Sequence, residues 1–332
     1  MPRAWRVIRH GEPSEVLRLD HVDPPTLARG QVEVAVLAAS CNFADVLLCR
    51  GQYQQHPDPP FTPGLEVCGR VTRVGPGVSA ALSGARVVGQ PVLPHGGFAD
   101  VAVLEANHCH SVPADVTDTT AAVTHLTHLT AWLGLHRRAA VQPGETVVVT
   151  AAAGGVGSAA IQVARAAGAT VIAITSGAGK AAAATRFGAH HVVDRSGDVV
   201  GEIRRLAPRG ADVVLESVGG QSFQQATKYI GFEGRIVVVG FAGGEIPHAA
   251  LNHAMVKNYT IAGLHWSLYR DHHPDLMRSG QNAIFDLLAA GHLTPDISEL
   301  SFHELPTSLE QLAAGQIRGK SVITIEKDRD TP

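Results

Sequence analysis

The sequence predicts an α/β protein in which a β-rich domain, built from both ends of the chain, flanks a doubly wound parallel-sheet domain. Three observations predict it. Short β-branched runs broken by Gly and Pro fill the first third of the chain. Continuous apolar strands then alternate with Ala-rich or amphipathic segments, the pattern of a parallel sheet covered on both faces. Near the end the texture becomes mixed and closes on one more strand-like run.

In order, Gln31-VEVAVLA, Gly69-RVTRVG and Ala85-RVVG read as strands of a compact β unit, with PPFTPG and GPG as turns. From about Thr117 the alternation begins. Val147-VVT, Thr170-VIAIT, His190-HVVD, Ala211-DVVLES and Gly234-RIVVVG read as buried strands, and Ser158-AAIQVARAAGA as a helix stopped at Gly168. After about residue 266 the pattern mixes again, ending in Ser321-VITIE and a charged tail, KDRDTP, expected to fray. The expected division is 1–122, 123–266 and 267–332, the last returning to the first.

The stretch TAAAGGVGSAA, Thr150–Ala160, lies between a predicted strand and a predicted helix. It contains Ala152-x-Gly154-x-x-Gly157, the dinucleotide fingerprint with alanine in its first position. Gly154 lets the backbone approach a pyrophosphate, Gly157 lets helix and strand pack closely, and the helix N-terminus offers N–H groups to the anion. The expected contacts are Ala153, Gly154, Gly155, Val156 and Gly157. An NAD site usually carries Asp or Glu about 20 residues past the loop, on the ribose 2′-hydroxyl. Here the second strand ends Thr175-Ser176-Gly177, and no carboxylate follows until Asp194. Ser176, Lys180 and Arg195 instead suit a 2′-phosphate, which predicts NADPH. Asp194 beside Arg195 offsets part of that charge.

Composition narrows the classes. The 332 residues carry a net charge of −3, and no Lys/Arg run exceeds two residues, which argues against a nucleic-acid or polybasic membrane surface. No apolar stretch approaches the roughly 20 residues of a membrane span, and the N-terminus lacks a signal-peptide core. Four scattered cysteines with no CxxC pair suit free thiols in a cytoplasmic protein. Among 18 histidines, His125-x-x-His128, His108-Cys-His110, His190-His191 and His272-His273 invite a metal, but no pair brings an obvious third ligand. His125 and His128 are expected on a polar helix face, with a place in the substrate pocket as proton source the alternative.

Asn42-Phe-Ala-Asp45 with Arg50-Gly-x-Tyr53, Pro63-Gly-Leu-Glu66-x-x-Gly69, the AAAGGVG loop, Gly234-RIVVVGFAGG, Leu251-NHAMVKNYTIAG and Gly319-Lys320-Ser-Val-Ile are similar to motifs of one family. On these the chain resembles the zinc-independent medium-chain dehydrogenase/reductases of the NADPH:quinone oxidoreductase, zeta-crystallin-like, type. The resemblance covers nearly the whole chain. It implies a GroES-like catalytic domain and a Rossmann cofactor domain, with the active site in the cleft between them. Zinc-dependent relatives place Cys where this chain has Asn42, and His where it has Leu65. Both ligands are missing, as is the four-cysteine structural zinc lobe, so no metal is expected.

Without a Lewis acid, hydride delivery to an already electrophilic quinone is favoured over alcohol oxidation. The resemblance puts Asn42, Asp45 and Tyr53 at the substrate, with Asn42 and Tyr53 as donors to a carbonyl oxygen and Asp45 orienting neighbours. It puts Thr130, Gly240, Phe241 and Asn252 toward the nicotinamide. Enone or enoyl reduction needs the same hydride geometry and stays open, as does a non-catalytic NADPH-binding protein. The strand-like Tyr259-TIAG lies at the expected sheet edge, which predicts a homodimer.

Overall fold

The computed structural model describes residues 1–325. The tail KDRDTP, expected to fray, lies outside the described residues. Two compact units form: one from Met1–Leu126 with the chain from Asp296 onward, the other from Thr127–Pro295.

In the first unit the central strand Gln31–Ser40 organises a seven-stranded sheet. It pairs antiparallel with Val67–Val74 along its length, with Val101–Glu105 at its start, and with Lys320–Thr324 at its end, where Ser40 faces Val322. Ile297–Leu300 adds beyond Lys320–Thr324, and Arg86–Gly89 and His110–Ser111 extend the other side. A separate ribbon joins Arg3–Val7 to Leu17–His21. Val32, Val34, Phe61, Leu65, Phe98, Leu104, Leu309 and Ile323 fill one core, so residues from both chain ends bury each other.

The second unit is a six-stranded sheet, all parallel. Its order is His191–Asp194, Thr170–Thr175, Thr146–Val149, Ala211–Glu216, Ile230–Val238, Thr260–Gly263. The earliest strand lies inside the sheet and the order reverses beside it. That reversal opens a crevice at the carboxyl ends of the strands, where such sheets bind ligands. The α/β class is the one the sequence predicts. The strand read from Gly234 starts earlier, at Ile230.

The division differs from the expected one. Residues 267–295 belong to the second unit, and the first break falls at 126/127. The helices Trp266–His272 and Pro274–Ala289 carry the second boundary outward. Pro274–Ala289 buries Met277, Ile284 and Phe285, and Gly280 lies flat against the helix Leu129–Trp132. A Cβ on Gly280 would come within 2.6 Å of Leu129 Cδ1 and 2.9 Å of the Trp132 ring. The Gln162 side chain fixes the chain beyond that helix by accepting the Thr294 N–H at 2.6 Å. Such packing leaves no turn signal in the sequence. No helix among the described residues is long and apolar enough to cross a membrane.

Candidate active site

In the first unit, Asn42, Asp45, Glu66 and Lys320 form one buried polar network. Asn42 precedes the helix Phe43–Cys49, and its own N–H donates to Asp45 Oδ2 at 2.9 Å. Asp45 Oδ1 accepts from the Gly64 and Leu65 N–H groups, each at 3.1 Å. Lys320 Nζ donates to the Cys41 carbonyl at 2.9 Å and to Asn42 Oδ1 at 2.6 Å, and stands 3.5 Å from Glu66 Oε2. Glu66 Oε1 accepts the Leu126 N–H at 2.6 Å. Glu66 and Asp45 are fully buried and Lys320 is 4% exposed, so each charge needs the partners it has.

This arrangement corrects the expectation for Asn42. Its amide nitrogen donates to the Ser40 carbonyl at 3.2 Å and to Glu66 Oε2 at 3.1 Å. A carboxamide has two N–H donors, and both are committed, leaving neither for a substrate carbonyl. Asn42 and Asp45 instead anchor the helix Phe43–Cys49. The Gly51 and Gln52 N–H groups bond back to Leu48 and Leu47 of that helix, at 3.0 and 2.8 Å, so the anchored helix sets the start of the segment carrying Tyr53. Tyr53 is half-buried, with its ring against the core of the first unit.

Burial pushes the Asp45 carboxyl up to about 7, against the pull of the Asn42 N–H, the Lys320 ammonium and the Gly64 and Leu65 N–H groups. An unfolded Asp titrates near 3.9. Between roughly pH 4 and 7 the folded chain therefore holds a proton that the unfolded chain has lost. The stability from this group is complete below about pH 4 and is lost as the pH rises through 7, at about 1.4 kcal/mol per unit. Asp45→Asn is expected to remove that slope. It also turns an amide N–H toward one of the backbone donors, a cost of about 1–3 kcal/mol. Thermal unfolding of both proteins from pH 5 to 8 checks this; parallel curves would contradict the assignment.

Zinc does not fit this donor set. Leu65 offers no lone pair, and the Glu66 carboxylate is already bound to an ammonium and an amide. The Cys41 thiol is pushed by burial up to about 12, with the Ser308 hydroxyl bonded to its sulfur. Among the described residues no group of three or more His, Cys, Asp or Glu side chains could hold a metal ion. His125 and His128 do not lie on a polar face; each is 1% exposed, and His125 packs against His110 with ring centroids 5.1 Å apart.

In the second unit the turn at 153–157, Ser176, Arg195, Gly240 and Phe241 follow the carboxyl ends of parallel strands, and Lys180, Thr130 and Asn252 lie on helices. The helix after Thr146–Val149 opens at Gly155, so Gly155, Val156 and Gly157 are its first turn rather than a preceding loop. Gly154 is its N-cap, with no side chain capping it among the described residues. The N–H groups of a first helical turn have no carbonyl in a preceding turn, so this turn can receive an external anion. A Cβ on Gly157 would strike the Ala151 carbonyl oxygen at 2.4 Å and the Ala152 Cα at 2.7 Å. Only glycine lets the helix start this close to the strand, so the cradle fits a pyrophosphate.

Ser176 is the N-cap of the helix Gly177–Arg186, which carries Lys180 one turn in. Arg195 follows the strand His191–Asp194, and its N–H donates to the Thr175 carbonyl at 2.8 Å. Gly240 is half-buried and Phe241 exposed just past Ile230–Val238. Ala153 is buried beside the cradle, Thr130 is half-buried on Leu129–Trp132, and Asn252 is exposed on Leu251–Lys257.

One residue of this edge escaped the sequence reading. Glu216 ends its strand fully buried, with Oε1 accepting from the Val218 and Gly219 N–H groups at 2.7 and 2.9 Å and Oε2 from the Ser222 hydroxyl at 2.8 Å. Burial pushes its carboxyl up, and these donors oppose that. The turn it holds is bonded to the neighbouring loop through Ala242 N–H to Ser217 O at 2.9 Å and Gly243 N–H to Val218 O at 2.8 Å. Gly240 and Phe241 are thus placed through Glu216. The available signal was a carboxylate closing the apolar run ADVVLE. Glu216→Ala leaves three donors unmet and is expected to lower stability by about 1–3 kcal/mol, with Glu216→Gln recovering most of it; denaturant titration of the pair checks this.

The family model described as alcohol dehydrogenase GroES-like domain matches residues 28–114, and that described as zinc-binding dehydrogenase matches residues 155–280. Quinone oxidoreductase-like protein 2 of Bos taurus is 34% identical over 330 residues, 98% of this chain and 93% of its own length. The Escherichia coli quinone oxidoreductase, solved with NADPH, is 27% identical with a TM-score of 0.88, covering 97% of this chain and 100% of that one. The CurK enoyl reductase is also 27% identical, with a TM-score of 0.86 over 98% of this chain and 99% of that one. The chain belongs to the medium-chain dehydrogenase/reductase family of oxidoreductases. Within it, the chain falls in the quinone oxidoreductase-like group.

Proposed function

We propose that the chain is an NADPH-dependent reductase that delivers hydride directly to a quinone, without zinc. The observation that carries this reading is the Lys320 ammonium bonded to Asn42 and beside Glu66. Where zinc-dependent relatives place metal ligands, the charge of Glu66 is already balanced, so the acceptor must be electrophilic by itself.

Bound NADPH supplies the hydride. Ala153, Gly154, Gly155, Val156 and Gly157 hold its pyrophosphate at the helix N-terminus. Ser176, Lys180 and Arg195 take the 2′-phosphate through a hydroxyl and two cations. Thr130, Gly240, Phe241 and Asn252 serve the nicotinamide end, with Glu216 positioning the Gly240–Phe241 loop. The Tyr53 hydroxyl donates to the carbonyl oxygen as charge develops there, and Asn42 and Asp45 position the helix that leads to Tyr53.

A second reading, reduction of an enone or enoyl carbon–carbon double bond, is favoured by the likeness to CurK enoyl reductase. Loss of absorbance at 340 nm with NADPH or NADH separates the two, using 1,4-benzoquinone, 9,10-phenanthrenequinone, 2-cyclohexenone and crotonyl thioester as acceptors. Quinone turnover supports the first reading. Turnover of the enone or thioester alone moves the function to alkene reduction, and NADPH binding with no turnover refutes both.

The protein is further proposed to be a cytoplasmic homodimer. Its four cysteines are free thiols, which suits a reducing compartment. Thr260–Gly263 is an edge strand whose open side a second copy would pair. A light-scattering mass equal to one chain at micromolar concentration would contradict the dimer.

A further inference from the structure

The carboxylate of Asp194 stands among the groups proposed to take the 2′-phosphate. Asp194 ends its strand directly opposite Thr175, the last residue of the neighbouring strand. The parallel register therefore brings two chain segments out level: Ser176 and Gly177 leave one strand, Asp194 and Arg195 leave the other.

Asp194 is exposed, and its direction is fixed. Its Oδ1 accepts the Ser196 N–H at 2.9 Å and the Ser196 hydroxyl at 2.8 Å. The Gly177 N–H, the first of the helix Gly177–Arg186, is also a donor to this carboxylate, and together the donors hold its pKa below the usual range. At neutral pH a fixed anion thus shares the helix N-terminus, and the neighbouring Arg195 cation, with any incoming phosphate. A phosphate would meet repulsion there. A ribose hydroxyl would instead find an acceptor, the role an acidic residue has in NAD sites.

We propose that Asp194 is a specificity-determining residue that disfavours the 2′-phosphate relative to the 2′-hydroxyl, so that the preference for NADPH over NADH is the difference between Lys180 and Arg195 on one side and Asp194 on the other. This rests on the cofactor reading above. The wild-type enzyme then uses NADH as well, and removing the Asp194 charge sharpens its choice.

Asp194→Asn tests this, because asparagine keeps the oxygen that accepts from Ser196 while losing the charge. Dissociation constants for 2′,5′-ADP and 5′-AMP are measured by calorimetry at low and high salt, alongside kcat/KM for NADPH and NADH. Asp194→Asn is expected to bind 2′,5′-ADP about tenfold more tightly, as for one unit charge removed a few ångströms away in a solvated site. Binding of 5′-AMP stays within about twofold, and the gain shrinks as salt screens it. An unchanged ratio of the two ligands overturns the proposal, as does equal weakening of both, which would make Asp194 only a turn-former. Wild-type protein binding neither ligand overturns the cofactor reading itself, and the proposal with it, before any substitution is made.

Discussion

Lys320→Met is expected to cost about 3–5 kcal/mol of folding stability, the loss that follows when one member of a buried charge pair is removed. The methionine fills much of the lysine's volume, so the effect reports charge and hydrogen bonds rather than a cavity. Glu66 keeps its carboxylate with no cation beside it, and Asn42 Oδ1 and the Cys41 carbonyl lose their donor. The double variant Lys320→Met/Glu66→Gln should recover part of the loss, since the uncompensated charge is then gone. Denaturant unfolding of wild type, both single variants and the double variant gives the coupling. A Lys320→Met protein as stable as wild type would mean that the network does not hold the first unit together.

Gly157→Val is expected to weaken cofactor binding by at least about 100-fold and to destabilise the second unit by about 1–3 kcal/mol through overpacking. The Cβ collision is with backbone, the Ala151 carbonyl oxygen and the Ala152 Cα, so no side-chain rotation relieves it. The helix must move away from the strand, and its first N–H groups move off the pyrophosphate with it. Fluorescence titration with NADPH, compared with thermal unfolding in its absence, separates the two effects. Near-normal affinity would remove the pyrophosphate from this turn.

Gly157 was legible from the sequence because a close approach between neighbouring segments forces glycine at a fixed spacing. The parallel sheet was legible for a similar reason: buried strands must be apolar over consecutive residues, and Val147-VVT and Thr170-VIAIT are. The outer limit of the second unit was not legible, because Gly280 against Trp132 joins helices far apart in sequence by shape, with no punctuation at residue 295. Within the site, local spacing pointed to the glycine turn that starts the helix at Gly155 and to the candidate 2′-phosphate residues. It did not reveal what Asn42 bonds to. That side chain meets Glu66 24 residues away and Lys320 278 residues away, and only the closed sheet brings them together. The family likeness supplied the position of Asn42 but the hydrogen bonds supplied its task.

The same separation orders events during synthesis. Glu66 and Asn42 leave the ribosome long before Lys320, and the central strand Gln31–Ser40 waits equally long for Lys320–Thr324 to cover its end. The whole of 127–295 is translated in that interval, so the parallel-sheet unit has its complete sequence while the unit that precedes it does not. A nascent chain stalled before residue 320 would carry a buried-charge site without its counter-ion and a strand with an open side, the state in which chaperone capture or aggregation competes best with folding.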